Sequence, residues 1–205
     1  MSKGMKIRFL LISVCIFAVF AAACTGDQPK NMGTANSEPI VKTDPPKAPS
    51  DKGDEVATGG ATALMNAAAA GNMAEVELGK LAVEKAENPE VKAFGQKMID
   101  DHSKAFEELK KVAELKKTPL PPDILPTQKE AKEKLSKLSG AEFDKEYVKT
   151  MVEVHKKDVT AFEAATKTVG DADVKAFAEK TLPTLKMHLE MIQGIAEKMN
   201  IETKP

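Results

Sequence analysis

Beyond residue 60 the apolar positions of this chain recur at alternating steps of four and three, the spacing of one face of an α-helix. The first stripe, Leu64, Ala68, Gly71, Glu75, Leu78, Ala82 and Lys85, predicts a helix from about Thr62 to Glu87. Asn88 ends it, and Pro89, whose ring suits a first turn, opens a second. Val91, Gly95, Met98, His102, Ala105, Leu109 and Val112 keep the rhythm to about Lys117. So short a turn makes the pair an antiparallel hairpin.

The proline-rich run from Thr118 to Pro126 cannot continue a helix, because proline lacks the amide donor and clashes with the preceding turn. It begins a long crossover that includes a short helix from Thr127 to Leu138, broken at Ser139 and Gly140. A third long helix follows from about Glu142 to Val169, with Val148, Met151, His155, Asp158, Phe162 and Ala165 on one stripe. Gly170 and Asp171 supply a stop and a new cap. A fourth helix aligns Val174, Ala178, Leu185, His188, Ile192, Ile195 and Met199, with a kink expected at Pro183. Val91 to Lys97 also matches Val174 to Lys180, each just after a tight turn, as if two related hairpins were joined by the crossover. Hairpin, long crossover, hairpin predicts an all-α, ferritin-like four-helix bundle over residues 61–205.

Ahead of residue 60 the pattern vanishes. Residues 24–60 are rich in Pro, Gly, Lys, Asp, Ser and Thr with little to bury, and read as a disordered tether of roughly 30 to 36 Å typical reach. Residues 1–23 have the parts of a secretory signal: Lys3, Lys6 and Arg8, an apolar run from Phe9 to Phe20, then Ala21, Ala22 and Ala23. Cys24 follows at once, as in a lipobox, although Ala21 stands where leucine is usual. The expectation is a lipoprotein acylated at Cys24, its partner the membrane through that lipid, placed in the cell envelope at the outer membrane and facing the periplasm. Ordinary cleavage after Ala23 with a free thiol, or an uncleaved but short anchor, are the alternatives.

Composition sharpens this picture at three points. The chain is 42% hydrophobic but 4% aromatic, without Trp and with one Tyr, so the core must be built from Ala, Leu, Val, Met and a few Phe. Arg8 is the only arginine and lies in the signal, which leaves the mature part without the best fork for phosphates and argues against nucleic acid as a partner. Cys15 lies in the signal as well, so a mature chain keeps Cys24 alone and can form no internal disulfide.

Several spaced motifs carry a family resemblance: Glu75 to Ala82, Asn88 to Phe94, Met98 to His102, Phe143 to Tyr147, Met151 to His155 and Leu182 to Leu189. From about Ala61 to Met199 the chain resembles the bacterial family known as domain of unknown function 4142. The resemblance implies an exported ferritin-like bundle and no established activity.

The chemistry concentrates on the inward stripes. All three histidines fall there, His102, His155 and His188 on three different helices, with Glu75 on the first. Buried polar groups cost roughly 1 to 3 kcal/mol each unless paired, so such a layer needs a reason. A di-iron site of the ferritin kind is not that reason, because the positions three before the histidines are Ile99, Val152 and Leu185 rather than glutamate. Methionines stand near instead, and the candidate ligand set is His102, His155, His188, Glu75, Asp158, Met98, Met151 and Met191. Imidazole with thioether suits copper(I), whereas completion by Asp158 or Glu75 suits a harder divalent ion.

The sequence shows no catalytic triad, glycine-rich phosphate loop or Cys-x-x-Cys pair, and identifies no reaction. Three readings stay open. One is a non-enzymatic envelope lipoprotein with a stress-related or structural role, its histidines paired to fix helix register and its protein partner unknown. The second is metal binding or metal-linked redox protection. The third is catalysis in a pocket lined by Glu75 and His102.

Overall fold

The computed structural model describes residues 52–203. Helices α1 (Lys52–Lys85) and α2 (Pro89–Leu115) form the first hairpin, and α4 (Gly140–Thr168) and α5 (Ala172–Lys198) the second. The crossover between them carries the short α3 (Pro126–Ser136). Across the bundle α2 packs on α5 and α1 on α4, while α3 lies against α1 and α4. This is the four-helix, two-hairpin bundle that the periodicity predicts.

One boundary differs widely from expectation. Helix α1 begins at Lys52, well ahead of Thr62, so the last residues assigned to the tether are helical. Glycine pairs and charge read as linker there, yet a helix already nucleated further along extends at little cost per residue. Helix α5 continues through Pro183 without interruption. The signal segment, Cys24 and most of the tether lie outside the described residues. Among the described residues no helix is long and apolar enough to cross a membrane.

The hairpin turns are fixed by side-chain caps. Asn88 Oδ1 accepts from the amides of Glu90 at 2.8 Å and Val91 at 3.4 Å. Asp171 Oδ1 accepts from Asp173 at 3.0 Å and Val174 at 3.1 Å. Each thereby satisfies amides that the first helical turn leaves without partners. The buried Asp144 of α4 reaches the first turn as well, accepting from Glu87 N at 3.2 Å and Asn88 N at 2.7 Å, and so pins one hairpin to the other.

Below that turn α1 and α2 nearly touch. A Cβ placed on Gly79 would lie 2.6 Å from the carbonyl oxygen of Gly95, and one on Gly95 would lie 2.5 Å from Ala82 Cβ. Only glycine fits at this crossing.

The apolar core comes in two parts. One contains Leu78, Met98, Val152 and Ile192, together with Phe94, Phe143 and Tyr147. The other contains Ala69, Leu109, Phe162 and Leu185, together with Met65 and Phe177. On every long helix a polar residue separates the two: Glu75 on α1, His102 on α2, His155 on α4 and His188 on α5.

Candidate metal centre

The mid-bundle layer is assembled from four helices, and its three imidazoles converge. One ligating nitrogen from each of His102, His155 and His188 lies within 4.8 Å of the others. Ring centroids are 5.3 Å apart for His102 and His188, 5.4 Å for His155 and His188, and 6.0 Å for His102 and His155. Glu75, 2% exposed, lies beside them, its Oε2 2.6 Å from His102 Nδ1 and its Oε1 3.7 Å from His155 Nε2.

Each imidazole is oriented by a hydrogen bond at one nitrogen, which leaves the other bare. His102 Nδ1–H is shared between Glu75 Oε2 and Asn72 Oδ1, the latter at 2.9 Å. Asn72 is itself oriented, because its Nδ2 donates to Ala68 O at 2.8 Å. His155 Nδ1 donates to the carbonyl of Met151 at 3.0 Å, and His188 Nε2 donates to Asp101 Oδ2 at 2.7 Å. Lys97 holds Asp101 in turn, at 3.1 Å. The remaining atoms, His102 Nε2, His155 Nε2, His188 Nδ1 and Glu75 Oε1, are buried and have no hydrogen-bond partner. Metal-ligating histidines are characteristically held this way, one nitrogen on a carboxylate or carbonyl and the other turned to the ion.

The electrostatics suit such a role. Burial would raise the Glu75 carboxyl, but the charge of His102, then of His155, and the hydrogen bond from His102 outweigh it and hold the group at about 2. Burial pulls His102 down, but the charge and hydrogen bond of Glu75, with the charges of Asp158 and Asp101, together outweigh it and its basicity is raised. Burial together with the neighbouring imidazoles lowers His155, and lowers His188 to about 4 despite Asp101. Two of the three imidazoles are therefore neutral near pH 7 and have lone pairs to give.

His188 supplies a stability test with a definite sign. Its folded value lies below the unfolded 6.5, so the unfolded chain binds the proton more readily and stability is lost as the pH falls from 6.5 toward 4. Relative to a His188→Gln variant, the metal-free wild type is expected to lose on the order of 3 kcal/mol across that interval. Urea unfolding at pH 7 and near pH 4 measures this. Parallel curves for the two proteins would contradict the assignment.

The other expected ligands are placed differently. Asp158 is half-buried on the wall of a small chamber beside Glu75 and His102, its carboxyl pushed up to about 7 by burial and by the charge of Glu75. Met98 and Met151 are fully buried in the apolar core. Met191 is a correction: it is 38% exposed and lies with Met187 on a surface groove, because its place on α5 is at the edge of the His188 stripe. The sequence reading did not find Asn72, Asp101 or Tyr147, whose buried hydroxyl has no partner and whose acidity is suppressed by burial and by Glu75. Asp101 directly precedes His102, and that adjacency was the available signal.

Fold and site together define a four-helix bundle with a preformed histidine and carboxylate centre at mid-height. The chain belongs to the family described as domain of unknown function (DUF4142), whose model matches residues 46–195. A search of curated proteins gives no match. Among solved structures the bundle is similar to a DUF305 protein from Streptomyces coelicolor, 13% identical over 73% of this chain and 97% of that one, with a TM-score of 0.60. A DUF305 fragment from Deinococcus radiodurans is 11% identical over 68% and 96%, with a TM-score of 0.61. CopM in its Cu(I)-bound form is 16% identical over 68% and 96%, with a TM-score of 0.57, and the same protein has been solved with Cu(II) and with silver. At these identities the likeness establishes a shared fold.

Proposed function

We propose that this protein is a metal-binding bundle that holds one transition-metal ion, copper by preference, on His102, His155, His188 and Glu75. We further propose that Cys24 tethers it by lipid to the periplasmic side of the outer membrane, where it sequesters the ion without needing a reaction. The observation that carries the metal reading is the set of four buried donor atoms without partners, one on each long helix. A register-fixing role explains the Glu75–His102 pair but gives no reason for three bare imidazole nitrogens in one layer.

Three imidazoles and a carboxylate oxygen form a borderline donor set, for which copper(II) has the highest affinity among the common divalent ions. The buried, neutral imidazoles also accept copper(I). The copper- and silver-bound forms of CopM, which shares the fold, support this choice.

The test is the metal content of the purified, untagged protein from medium supplying iron, manganese, copper and zinc. About one ion per chain is expected, absent from the variant His102→Ala, His155→Ala, His188→Ala. A wild type that is metal-free and resists titration would overturn the proposal.

A further inference from the structure

Among the described residues four large apolar side chains are exposed, and two of them, Met187 at 39% and Met191 at 38%, share one surface groove between α2 and α5. They stand four residues apart on α5, which makes them neighbours on adjacent turns with Cβ atoms roughly 5 to 6 Å apart. Both side chains are unbranched and flexible, so the two sulfurs can close on one ion. Met65, Met98 and Met151, by contrast, are buried in the core, where methionine is a filler. Gly194 lines the groove and keeps it open, since an added Cβ there meets no atom within 4 Å. Glycine weakens a helix interior relative to alanine, and packing does not account for it at this position. The groove carries negative charge, because its lysine, Lys198, is held by Glu90 at 2.9 Å while Glu190 stands beside the two methionines. Phe94 lines its floor, and the same ring lies edge-on to His155 and His188, at 6.0 and 6.3 Å between centroids.

We propose that Met187 and Met191 form a solvent-facing copper(I) site, distinct from the buried layer, at which the ion is collected before it moves inward. Two neutral thioethers select a soft monovalent ion over zinc or copper(II). The carboxylate of Glu190 attracts the cation, and water completes its shell. An ion held so openly exchanges with solvent, and the buried layer keeps the one that survives purification. Met187 directly precedes His188, and Phe94 is shared by the groove and the layer, so the outer site lies against the inner one. The collecting role rests on the metal reading above, whereas binding at the methionine pair is measured apart from it.

Copper(I) is itself the probe, because it is diamagnetic. The full chain, labelled with carbon-13 on its methionine methyls, is titrated anaerobically with copper(I) and followed by NMR, with Met187→Leu and Met191→Leu assigning the two resonances. Both methyls should move together and saturate. In either single variant the remaining methyl should need at least tenfold more copper to move, and these exposed, volume-conserving changes leave the fold intact. The double variant Met187→Leu, Met191→Leu should still retain one copper per chain, but draw it from a coloured copper(I)–bicinchoninate donor at least threefold more slowly than the wild type. Copper retained with both methyls unmoved, or moved equally in the variants, would overturn the outer site and leave the metal reading intact. Equal loading rates would overturn the collecting role. Methyls that move while no copper is retained would overturn the buried site alone, and a chain that takes up no copper would overturn both.

Discussion

His102→Ala should lose the bound metal and, separately, about 3 to 5 kcal/mol of stability, with only the second loss recovered when Glu75→Leu is added. His102 supplies both an unpartnered nitrogen and the principal partner of Glu75, whose carboxylate is buried and held ionised to about pH 2. Removing one member of a buried ion pair leaves the other charge stranded, which is the costly case. Removing both in favour of packed carbon is often neutral or stabilising. A layer that existed only to fix register would show the stability pattern and no metal to lose. Metal analysis beside urea unfolding of both variants separates the two roles, and metal retained by His102→Ala would contradict its place among the ligands.

Gly95→Ala should be among the most damaging single-methyl additions in the bundle, costing about 1 to 3 kcal/mol or more. The added carbon would meet Ala82 Cβ at 2.5 Å and Gly79 O at 2.9 Å, and the second of these is backbone, which cannot rotate away. The hairpin must spread at this point. Glu75 lies one turn beyond Gly79 and His102 two turns beyond Gly95, so the spread reaches the 2.6 Å pair directly. We expect a lowered unfolding midpoint together with weakened metal binding. Gly194→Ala, where an added carbon meets nothing, is the matched control. Equal midpoints for the two variants would show that the crossing is not tight.

Much of this was legible in the sequence because helical period is a strong signal. Stripes containing His102, His155, His188 and Glu75 place those residues inward on four helices, and two short turns set their heights. Of the side chains that aim the imidazoles, Glu75 was legible and two others were not. Asn72 and Asp101 stand off the apolar stripes, and their partnership with a histidine depends on how neighbouring helices rotate against each other, which spacing within one helix does not specify. Met191 shows the converse error. It lies three residues after His188, close enough in angle to share its side of the helix, but it falls at the edge of the inward stripe and is 38% exposed. The early start of α1 at Lys52 was hidden for a third reason, because linker-like composition describes local preference and not the extension of an established helix.

The division of the apolar core by a polar layer has a consequence for how the molecule opens. Each helix belongs to two short bundles stacked end to end, one around Phe94 and Tyr147 and the other around Phe162 and Phe177. Without an ion the seam is held by a few hydrogen bonds, and the end without Asp144 can loosen while the pinned end stays closed, as two separate cooperative units. Four ligands, one from each long helix, would weld the seam. Ion binding would then be felt at both ends of the protein as a change from two-step to single-step unfolding, with hardly any change of shape.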